Sequence, residues 1–272
     1  MSLNKPIWKL RNWIDIHKLN WSNLSENPNA INLLEINQDK IDWSNLSENP
    51  NAIDILKKNP DKINWYRLSK NPNAIEILEK NRDKIVWFGL SKNPNAIKIL
   101  EENLDKINWI ILSTNTNAIE ILKKNQDKIN WHALSFNSNA MELIMENQDK
   151  INWFSLSRNS NAIKLLKDNP SKIDWFYLGS NPNAIELIMK KKDKIDWYSL
   201  SLNSSAIELL KENQDKIDWD SFSQNPSIFE LDYEAMKLNN IAIYEELIKE
   251  VMKPTRVFRN SDYDYIEELF GD

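Results

Sequence analysis

Apolar and polar positions recur with a period of 22 residues along most of the chain. Ten tryptophans mark this repeat, and no insertion separates any of them from the next: Trp21, Trp43, Trp65, Trp87, Trp109, Trp131, Trp153, Trp175, Trp197 and Trp219. With each tryptophan counted as position 1, the shared pattern is W-x-x-L-S-x-N-P-N-A-I-x-L-L-x-x-N-x-D-K-I-[DN]. A strict period over this length is typical of proteins that stack identical structural units.

The middle of each repeat predicts a short helix. Position 7 is Asn in every copy and position 8 is Pro in most. This pair starts helices because Asn caps free N–H groups and Pro fits the first turn. Apolar residues at positions 10, 11, 13 and 14, among them Ala52, Ile53 and Leu56, then form one face of a helix of roughly nine residues. The Asn at position 17 predicts a left-handed C-cap.

The end of each repeat predicts a second short helix. Position 22 is Asp or Asn in all copies except one, where Val86 stands, and it predicts an N-cap for a helix that begins at the tryptophan. The alternative is a longer helix that begins at the Lys of position 20 and is capped by the Asp of position 19. Ile41, Trp43 and Leu46 do not share one helical face, which favours the first assignment.

Helices this short are not stable alone in water, so the repeats must stabilise each other by stacking. We therefore predict an all-α protein, an α-solenoid of about ten 22-residue helix-turn-helix repeats with helical end caps. We expect the tryptophans to form its buried spine, and the stack to be an open rod or superhelix on the order of 90 Å long. The alternative is a leucine-rich-repeat-like horseshoe with an asparagine ladder. The absence of a Leu-x-Leu strand core and the Asn-Pro helix start favour the α-solenoid.

The two ends of the chain differ from the repeat. We predict an N-terminal cap with a half-repeat over residues 1–20, the tandem repeats over 21–230 and a C-terminal helical cap over 231–272. Trp8 and Trp13 are expected to seal the first repeat. The C-terminal region predicts one long helix from about Asp232 to Pro254, because proline stops a helix, followed by a short helix.

The string "LSxNPNAIxLL…NxDKIDW", together with "FELDYEAMKLNN…EELIKEVMKPTRV" near the C-terminus, resembles tandem-repeat proteins of amoeba-infecting giant viruses, the mimivirus-like viruses. The resemblance covers nearly the whole chain. It implies a viral origin, an A/T-rich genome and a location in the host cytoplasm or the virion. The family's C-terminal module has His-Pro before an Arg, whereas this chain has Lys253 and Pro254 before Arg256. The resemblance therefore transfers no histidine role and no site.

Composition excludes several kinds of chemistry. The chain has no cysteine, which removes disulfides and thiolate metal sites, and its three glycines lie too far apart for a phosphate-binding loop. No apolar run is long enough to span a membrane, and the N-terminus lacks the apolar core of a signal peptide, so we expect an intracellular protein. The net charge of −5 argues against a surface that tracks nucleic-acid phosphates.

Position 2, directly after the tryptophan, is aromatic or apolar in the central copies and polar at the ends. We name its central residues the position-2 stripe and predict that they bind a partner: Tyr66, Phe88, Ile110, His132, Phe154, Phe176 and Tyr198. Aromatic residues of this kind anchor many protein interfaces. The other interpretation is that position 2 widens the core between repeats. Positions 2 and 3 also vary as the code residues of a base-reading solenoid do, which is the basis of a nucleic-acid alternative.

The remaining polar residues predict no reactive site. An Asp-Lys pair at positions 19 and 20 recurs in most copies, and we interpret it as turn capping with a solvated ion-pair network rather than as a metal-binding row. His17 and His132 are far apart and form neither a metal site nor a catalytic pair. The acidic residues after Pro254 are expected to lie on the polar side of a closing helix, with an acidic docking helix as the alternative.

These observations predict a non-enzymatic scaffold that binds a protein, of the host or the virus, along a variable surface of the solenoid. No cofactor and no metal site is expected. Two alternatives remain: a structural or virion component that self-associates, and a nucleic-acid-binding repeat protein.

Overall fold

The structure is a computed structural model that describes residues 6–251, apart from the side chains of residues 192, 242–247, 250 and 251. Contacts divide the described residues into two units, residues 10–230 and residues 6–9 with 231–251. Residues 10–20, which the sequence assigned to the N-terminal cap, thus group with the repeats. The short C-terminal helix and acidic tail predicted after Pro254 lie outside the described residues.

Each of the ten repeats begins with a helix at its tryptophan, which we call a Trp helix. The Trp helices are α1 (Trp21–Glu26), α3 (Trp43–Glu48), α5 (Trp65–Lys70), α7 (Trp87–Leu90), α9 (Trp109–Ser113), α11 (Trp131–Leu134), α13 (Trp153–Ser157), α15 (Trp175–Gly179), α17 (Trp197–Ser201) and α19 (Trp219–Gln224). Repeats 1 to 9 continue into a second helix that begins at position 11, which we call an Ile helix. The Ile helices are α2 (Ile31–Glu35), α4 (Ile53–Lys58), α6 (Ile75–Lys80), α8 (Ile97–Glu101), α10 (Ile119–Lys124), α12 (Met141–Glu146), α14 (Ile163–Asp168), α16 (Ile185–Met189) and α18 (Ile207–Glu212).

Short 3-10 helices and strands complete the described chain. The 3-10 helices are Ile16–Lys18, Pro28–Ala30, Gln38–Lys40, Pro60–Lys62, Arg82–Lys84, Leu104–Lys106, Gln126–Lys128, Ser138–Ala140, Gln148–Lys150, Pro170–Lys172, Pro182–Ala184, Lys192–Lys194, Gln214–Lys216 and Pro226–Ile228. Strands β1 (Trp8–Leu10) and β2 (Phe229–Leu231) form a two-stranded sheet. The final helix, α20 (Tyr233–Val251), confirms the long C-terminal helix predicted from the sequence.

The predicted N-caps are confirmed. The Asp or Asn of position 22 accepts a hydrogen bond from the backbone N–H of position 3, as Asp42 does from Asn45 at 3.0 Å, so the Trp helix begins at the tryptophan. The Asn of position 7 caps the turn that leads into the Ile helix, since Asn49 Oδ1 accepts from Asn51 N at 2.9 Å. The α-helix itself begins only at position 11, three residues later than the sequence predicted.

The left-handed C-cap predicted at position 17 is wrong. Asn59 has a φ of −131° and a ψ of 60°, a conformation with negative φ. Its side chain explains the residue choice in another way, because Nδ2 donates to the carbonyl of Ile55 at 2.9 Å and satisfies an orphan group at the helix end. The same bond recurs at the other position-17 asparagines, such as Asn81 to Ile77 at 2.8 Å.

The ten repeats close into a ring, so the predicted open rod or superhelix is wrong. Helix α19 of repeat 10 packs against α1 of repeat 1, as α1 packs against α3 and α3 against α5 within the stack. Asn27 Nδ2 donates to the carbonyls of Ser223 and Asn225, both at 3.0 Å, which are the bonds that Asn49 makes to Ser25 and Asn27 inside the stack. Ten repeats that close a full turn rotate by roughly 36° each. We call this unit the repeat ring.

The asparagines of position 7 form a ladder that is complete around the ring. Each side-chain amide donates to the carbonyls of positions 5 and 7 in the preceding repeat, at 2.7–3.1 Å. All ten of these asparagines are buried: Asn27, Asn49, Asn71, Asn93, Asn115, Asn137, Asn159, Asn181, Asn203 and Asn225. The sequence placed such a ladder only in the alternative horseshoe fold, yet the all-α solenoid contains it.

The core of the ring is leucine and alanine, not tryptophan. Leu46 at position 4, Ala52 at position 10 and Leu56 at position 14 are fully buried, and their counterparts in other repeats are buried as well. The tryptophans are only half-buried, which contradicts the predicted tryptophan spine. Each tryptophan of repeats 1 to 9 instead holds the lysine ammonium of position 20 of its own repeat over its ring, as Trp21 holds Lys40 at 4.4 Å from the ring centroid.

These cation–π contacts also close around the ring. Lys18, which precedes the first repeat, lies over Trp219 of repeat 10 at 4.9 Å. The Lys of the Asp-Lys pair therefore contacts a tryptophan, whereas the sequence had assigned it to an ion-pair network with its neighbouring Asp. Trp13, which was expected to seal the first repeat, contacts Phe222 of repeat 10 at 5.9 Å instead.

Candidate binding surface of the repeat ring

The Trp helices orient position 2 away from the core. Successive residues of a helix differ by about 100° in direction, so each position of a helix faces its own surroundings. In repeat 2, Leu46 at position 4 points into the core, and Ser47 at position 5 accepts at 3.0 Å from the backbone N–H of Asn64, the position-22 residue that caps the Trp helix of repeat 3. Asn45 at position 3 donates to the carbonyl of Ser22 in the preceding repeat at 2.9 Å. Positions 2 and 6 point away from the core, and they contact only polar or variable residues of adjacent repeats, as Ser44 accepts from Asn64 Nδ2 at 3.0 Å.

The position-2 stripe is therefore a surface and not an extension of the core. Tyr66 is 38% exposed and Ile110, the most exposed of the apolar residues in the stripe, is 57% exposed. The other members, Phe88, His132, Phe154, Phe176 and Tyr198, are exposed as well. At the two ends of the repeat array, Ser22 donates to the carboxylate of Asp42 and Asp220 accepts from Asn20, so the polar copies serve local hydrogen bonds.

This surface lies on the inner side of the ring. In eight of the ten adjacent pairs, the Trp helices approach one another more closely than any two adjacent Ile helices do, and in a closed ring the elements with the closer spacing lie on the smaller circle. Ten helices spaced ~8–10 Å apart place their axes ~13–16 Å from the centre of a ring and leave an opening on the order of 15–20 Å. Positions 2 and 6 of the Trp helices point toward this opening.

Neighbouring aromatic residues of the stripe contact each other in two groups. Tyr66 and Phe88 have ring centroids 6.0 Å apart. Phe176 and Tyr198 are 6.1 Å apart, with ring planes only 10° from parallel. Tyr177, at position 3, packs against Phe154 with centroids 3.9 Å apart. The sequence thus found the stripe but missed Tyr177, although Tyr177 is the one aromatic residue at position 3 and this difference from the other repeats was a usable signal.

Position 6 adds residues that the sequence reasoning also missed. Phe136 contacts the ring of His132 edge-on at 6.3 Å, and Leu202 lies beside Tyr198 in a cleft described below. Position 6 falls one helical turn after position 2, so variation at both positions reaches the same surface. The variable residues of positions 2, 3 and 6 together form what we call the inner surface.

A charged cluster occupies the inner surface of repeats 1 to 4. Glu48, whose side chain is 14% exposed, accepts from Arg67 at 2.9 Å and from Lys70 at 3.2 Å. Lys92 lies 3.8 Å from Glu48, and Glu26 lies 3.6 Å from Arg67. Burial raises the pKa of the Glu26 carboxyl above its ordinary value of 4.5, and the charge of Glu48 raises it further, while Arg67 opposes the shift.

Replacing Glu26 with glutamine should raise stability at neutral pH relative to the native chain. A carboxyl whose pKa is raised by folding ionises first in the unfolded state, so stability falls as the pH rises through 4.5 and toward the folded pKa. Glu26→Gln removes this loss. The difference in the free energy of unfolding between the variant and the native chain should therefore grow, in favour of the variant, between pH 4 and pH 7. Urea unfolding across that pH range measures it.

Glu76 provides the matched control because its shift has the opposite sign. It lies on the outer, Ile-helix side, where hydrogen bonds from Lys80 and Lys57 lower its pKa to about 2. Ionised Glu76 stabilises the folded chain. Relative to the native chain, Glu76→Gln should therefore become less stable as the pH rises over the same range. If the change in stability relative to the native chain depended on pH in the same way for both variants, Glu26 would not be a partly buried carboxyl next to another carboxylate.

The outer side of the ring carries ordinary ion pairs and no candidate site. Lys123 pairs with Glu142 at 2.7 Å and Lys167 with Glu186 at 3.1 Å, all between exposed side chains. Exposed pairs of this kind contribute little to stability. Within the described residues no group of acidic, histidine or cysteine side chains is arranged to hold a metal ion. His17 and His132, in turn, lie on different parts of the ring, His17 before the first repeat and His132 in repeat 6.

No helix in the described part of the chain combines the length and the apolar character needed to cross a lipid bilayer. Comparison of the chain with protein-family models, curated proteins and solved structures found no match. The class that the structure itself defines is an all-α repeat protein whose 22-residue units close into a ring.

Proposed function

We propose that this chain is a non-enzymatic scaffold that binds a protein partner on the inner surface of the repeat ring. The observation that carries the proposal is the exposed, nearly continuous aromatic and apolar stripe at position 2. Packing positions such as the Asn of position 7 are the same in every repeat, whereas positions 2, 3 and 6 of the Trp helices differ between repeats. A surface that varies on an invariant frame is typical of repeat proteins that bind other proteins.

The chemistry of the stripe supports a protein ligand. Phe88 and Phe154 are 45% and 42% exposed. Exposing apolar surface to water is unfavourable in free energy, so covering these rings with a partner would be favourable. Exposed aromatic residues that touch one another are the kind of residue that carries most of the binding energy at protein interfaces. An opening on the order of 15–20 Å also exceeds the ~10–12 Å width of a single α-helix.

The inner surface has no basic stripe that would favour a nucleic acid. Its charged residues of positions 2, 3 and 6 are Glu26, Glu48, Arg67, Lys70, Lys92, Arg158 and Asp220. Arg67 and Lys70 are already paired with Glu48, whereas phosphate tracking needs clustered, available basic charge. Self-association end to end is disfavoured for a different reason, because repeats 1 and 10 cover each other's end faces.

The double variant Phe88→Asp with Phe154→Asp should lose partners that the native protein binds, by at least tenfold in recovered amount. Both changes put charge on exposed positions, so the ring should still fold, which circular dichroism checks. The measurement is affinity capture from host-cell extract with quantitative mass spectrometry, run beside the native chain. The matched control is Lys58→Asp with Lys124→Asp, two exposed lysines of the outer side.

The control variant should retain every partner. If the stripe variant is folded and also retains them all, the inner surface is not the binding site. Light scattering over a concentration series separates the self-association alternative, since a scaffold that binds other proteins should stay monomeric as its concentration rises.

A further inference from the structure

The inner surface of repeats 7 to 9 contains a cleft of about 310 Å³. Its lining residues are Arg158, Phe176, Tyr177, Ser180, Tyr198, Ser199 and Leu202. All of them come from positions 2, 3 and 6 of three consecutive Trp helices. A cleft of this volume is at the lower end of the range of small ligand sites, so it accommodates one or two side chains of a larger partner.

The walls of the cleft are aromatic rings that hold each other in place. Phe176 and Tyr198 lie nearly parallel, 6.1 Å apart, and remain 44% and 52% exposed. Tyr177 is fixed between Phe154 at 3.9 Å and Phe176 at 5.0 Å. Because these rings already contact one another, a bound apolar group would order few new side chains, which lowers the entropic cost of binding.

One departure from the repeat brings the backbones of repeats 8 and 9 close together beneath these rings. Position 5 is Ser in nine repeats and Gly179 in this one. A Cβ at Gly179 would overlap Ser199 Oγ and lie 3.1 Å from Ser199 Cβ, so any other residue there requires Ser199 to shift. Ser199 is buried at the bottom of the cleft, where its hydroxyl donates to Asp196 at 2.8 Å.

Arg158 supplies the polar feature of the cleft. It is exposed, and within residues 6–251 its guanidinium makes no hydrogen bond and no ion pair. The other arginine of the inner surface, Arg67, is held by Glu48 and Glu26. An unpaired guanidinium beside aromatic rings presents several N–H donors in a planar fork, a geometry that matches a carboxylate.

We propose that this cleft is the anchor site of the inner surface and takes a large apolar or aromatic side chain next to a carboxylate on a protein partner. The rings of Phe176, Tyr198 and Tyr177 bury the apolar group, and Arg158 pairs with the acidic side chain or C-terminal carboxylate beside it. This inference rests on the proposed function, since it assigns the partner's chemistry at one place on the same surface.

The test uses small probes with the intact protein. N-acetyl-L-phenylalanine carries a ring and a carboxylate, N-acetyl-L-phenylalaninamide carries the ring alone, and N-acetylglycine carries the carboxylate alone. NMR titration follows the Arg158 Nε–H and the tyrosine rings. We expect saturable shifts at Arg158 and Tyr198 with the first probe, at least fivefold weaker binding of the amide, and no saturable shift with N-acetylglycine.

Variants separate the two parts of the site. Arg158→Gln should remove the preference for the acid over the amide but keep binding of the ring. Tyr198→Ala should weaken both by at least fivefold. Lys124→Gln, at an exposed lysine of the outer side, is the matched control and should change neither. Circular dichroism verifies that each variant is folded.

Equal affinity for acid and amide, an unchanged preference in Arg158→Gln, or shifts that map away from the cleft would overturn the anchor assignment. The outcome is distinguishable from that of the proposed function. Loss of partners by the stripe variant together with no probe binding would contradict the anchor alone. Probe binding at the cleft together with full partner retention by the stripe variant would contradict the proposed function.

Discussion

Replacing Phe222 with alanine should lower the free energy of unfolding by about 3–5 kcal/mol, because it removes a fully buried aromatic side chain and leaves a cavity. Phe222 stands at position 4 of repeat 10, where the other nine repeats have Leu. Its ring lies 5.9 Å from Trp13 and 5.7 Å from Trp219, in the region where repeat 10 meets residues that precede repeat 1. Urea unfolding followed by tryptophan fluorescence measures the loss.

Two variants control this experiment. Phe222→Leu restores the residue of the other repeats and should cost much less than alanine. Phe154→Ala removes the same side chain from an exposed position of the inner surface and should cost about 1 kcal/mol or less. If Phe222→Ala lowered the free energy of unfolding no more than Phe154→Ala does, Phe222 would not be buried where repeat 10 meets the residues before repeat 1, and the ring would not be closed.

Replacing Asn27 with alanine should cost about 2–4 kcal/mol, as much as the same change in the middle of the array. Asn27 is 1% exposed, and its amide donates to the carbonyls of Ser223 and Asn225 while its oxygen accepts from the N–H of Asn29. Alanine leaves buried backbone groups without partners, which is the expensive part of losing a hydrogen bond.

Asn137→Ala is the matched variant because Asn137 makes the equivalent bonds to Ser113 and Asn115 at 3.1 Å and 2.9 Å. The two asparagines differ only in where they stand in the chain. In an open solenoid, Asn27 would be at a free end with no preceding repeat, so its replacement would be nearly neutral while Asn137→Ala remained costly. That pattern of unequal losses would contradict ring closure.

Local structure was predictable because short-range chemistry sets it. The Asp or Asn of position 22 caps the Trp helix as predicted, since a side-chain oxygen reaches an N–H only three residues away. The boundary at position 11 was misjudged because the residues after Asn-Pro form a tight turn or a 3-10 helix before the α-helix begins. The conformation of Asn59 was misjudged because its side chain bonds back to Ile55, an option that competes with a left-handed cap.

The candidate surface was predictable in its residues but not in its exposure or its neighbours. Internal comparison of the repeats identified position 2 as variable, yet a variable apolar position is consistent with either a core or a surface. The helix orientation decided between them, because position 3 contacts the preceding repeat, the carbonyl of position 5 accepts from the following repeat, and position 4 enters the core. The cleft at Arg158 combines residues of three repeats, which lie 22 or more residues apart at corresponding positions.

The sequence by itself determined the repeat unit, its two helices and the set of positions that vary, since each depends on contacts within about one helical turn or on direct comparison of the copies. Only the tertiary structure decided that the array closes and that the stripe faces its inside. The curvature comes from a difference in spacing: Ser and Asn hydrogen bonds draw the Trp helices together, while the Ile helices on the outer side stay farther apart. The sequence of one repeat does not reveal a rotation of roughly 36°. Only the sum of this rotation over ten repeats brings Asn27 within hydrogen-bond distance of the Asn225 carbonyl.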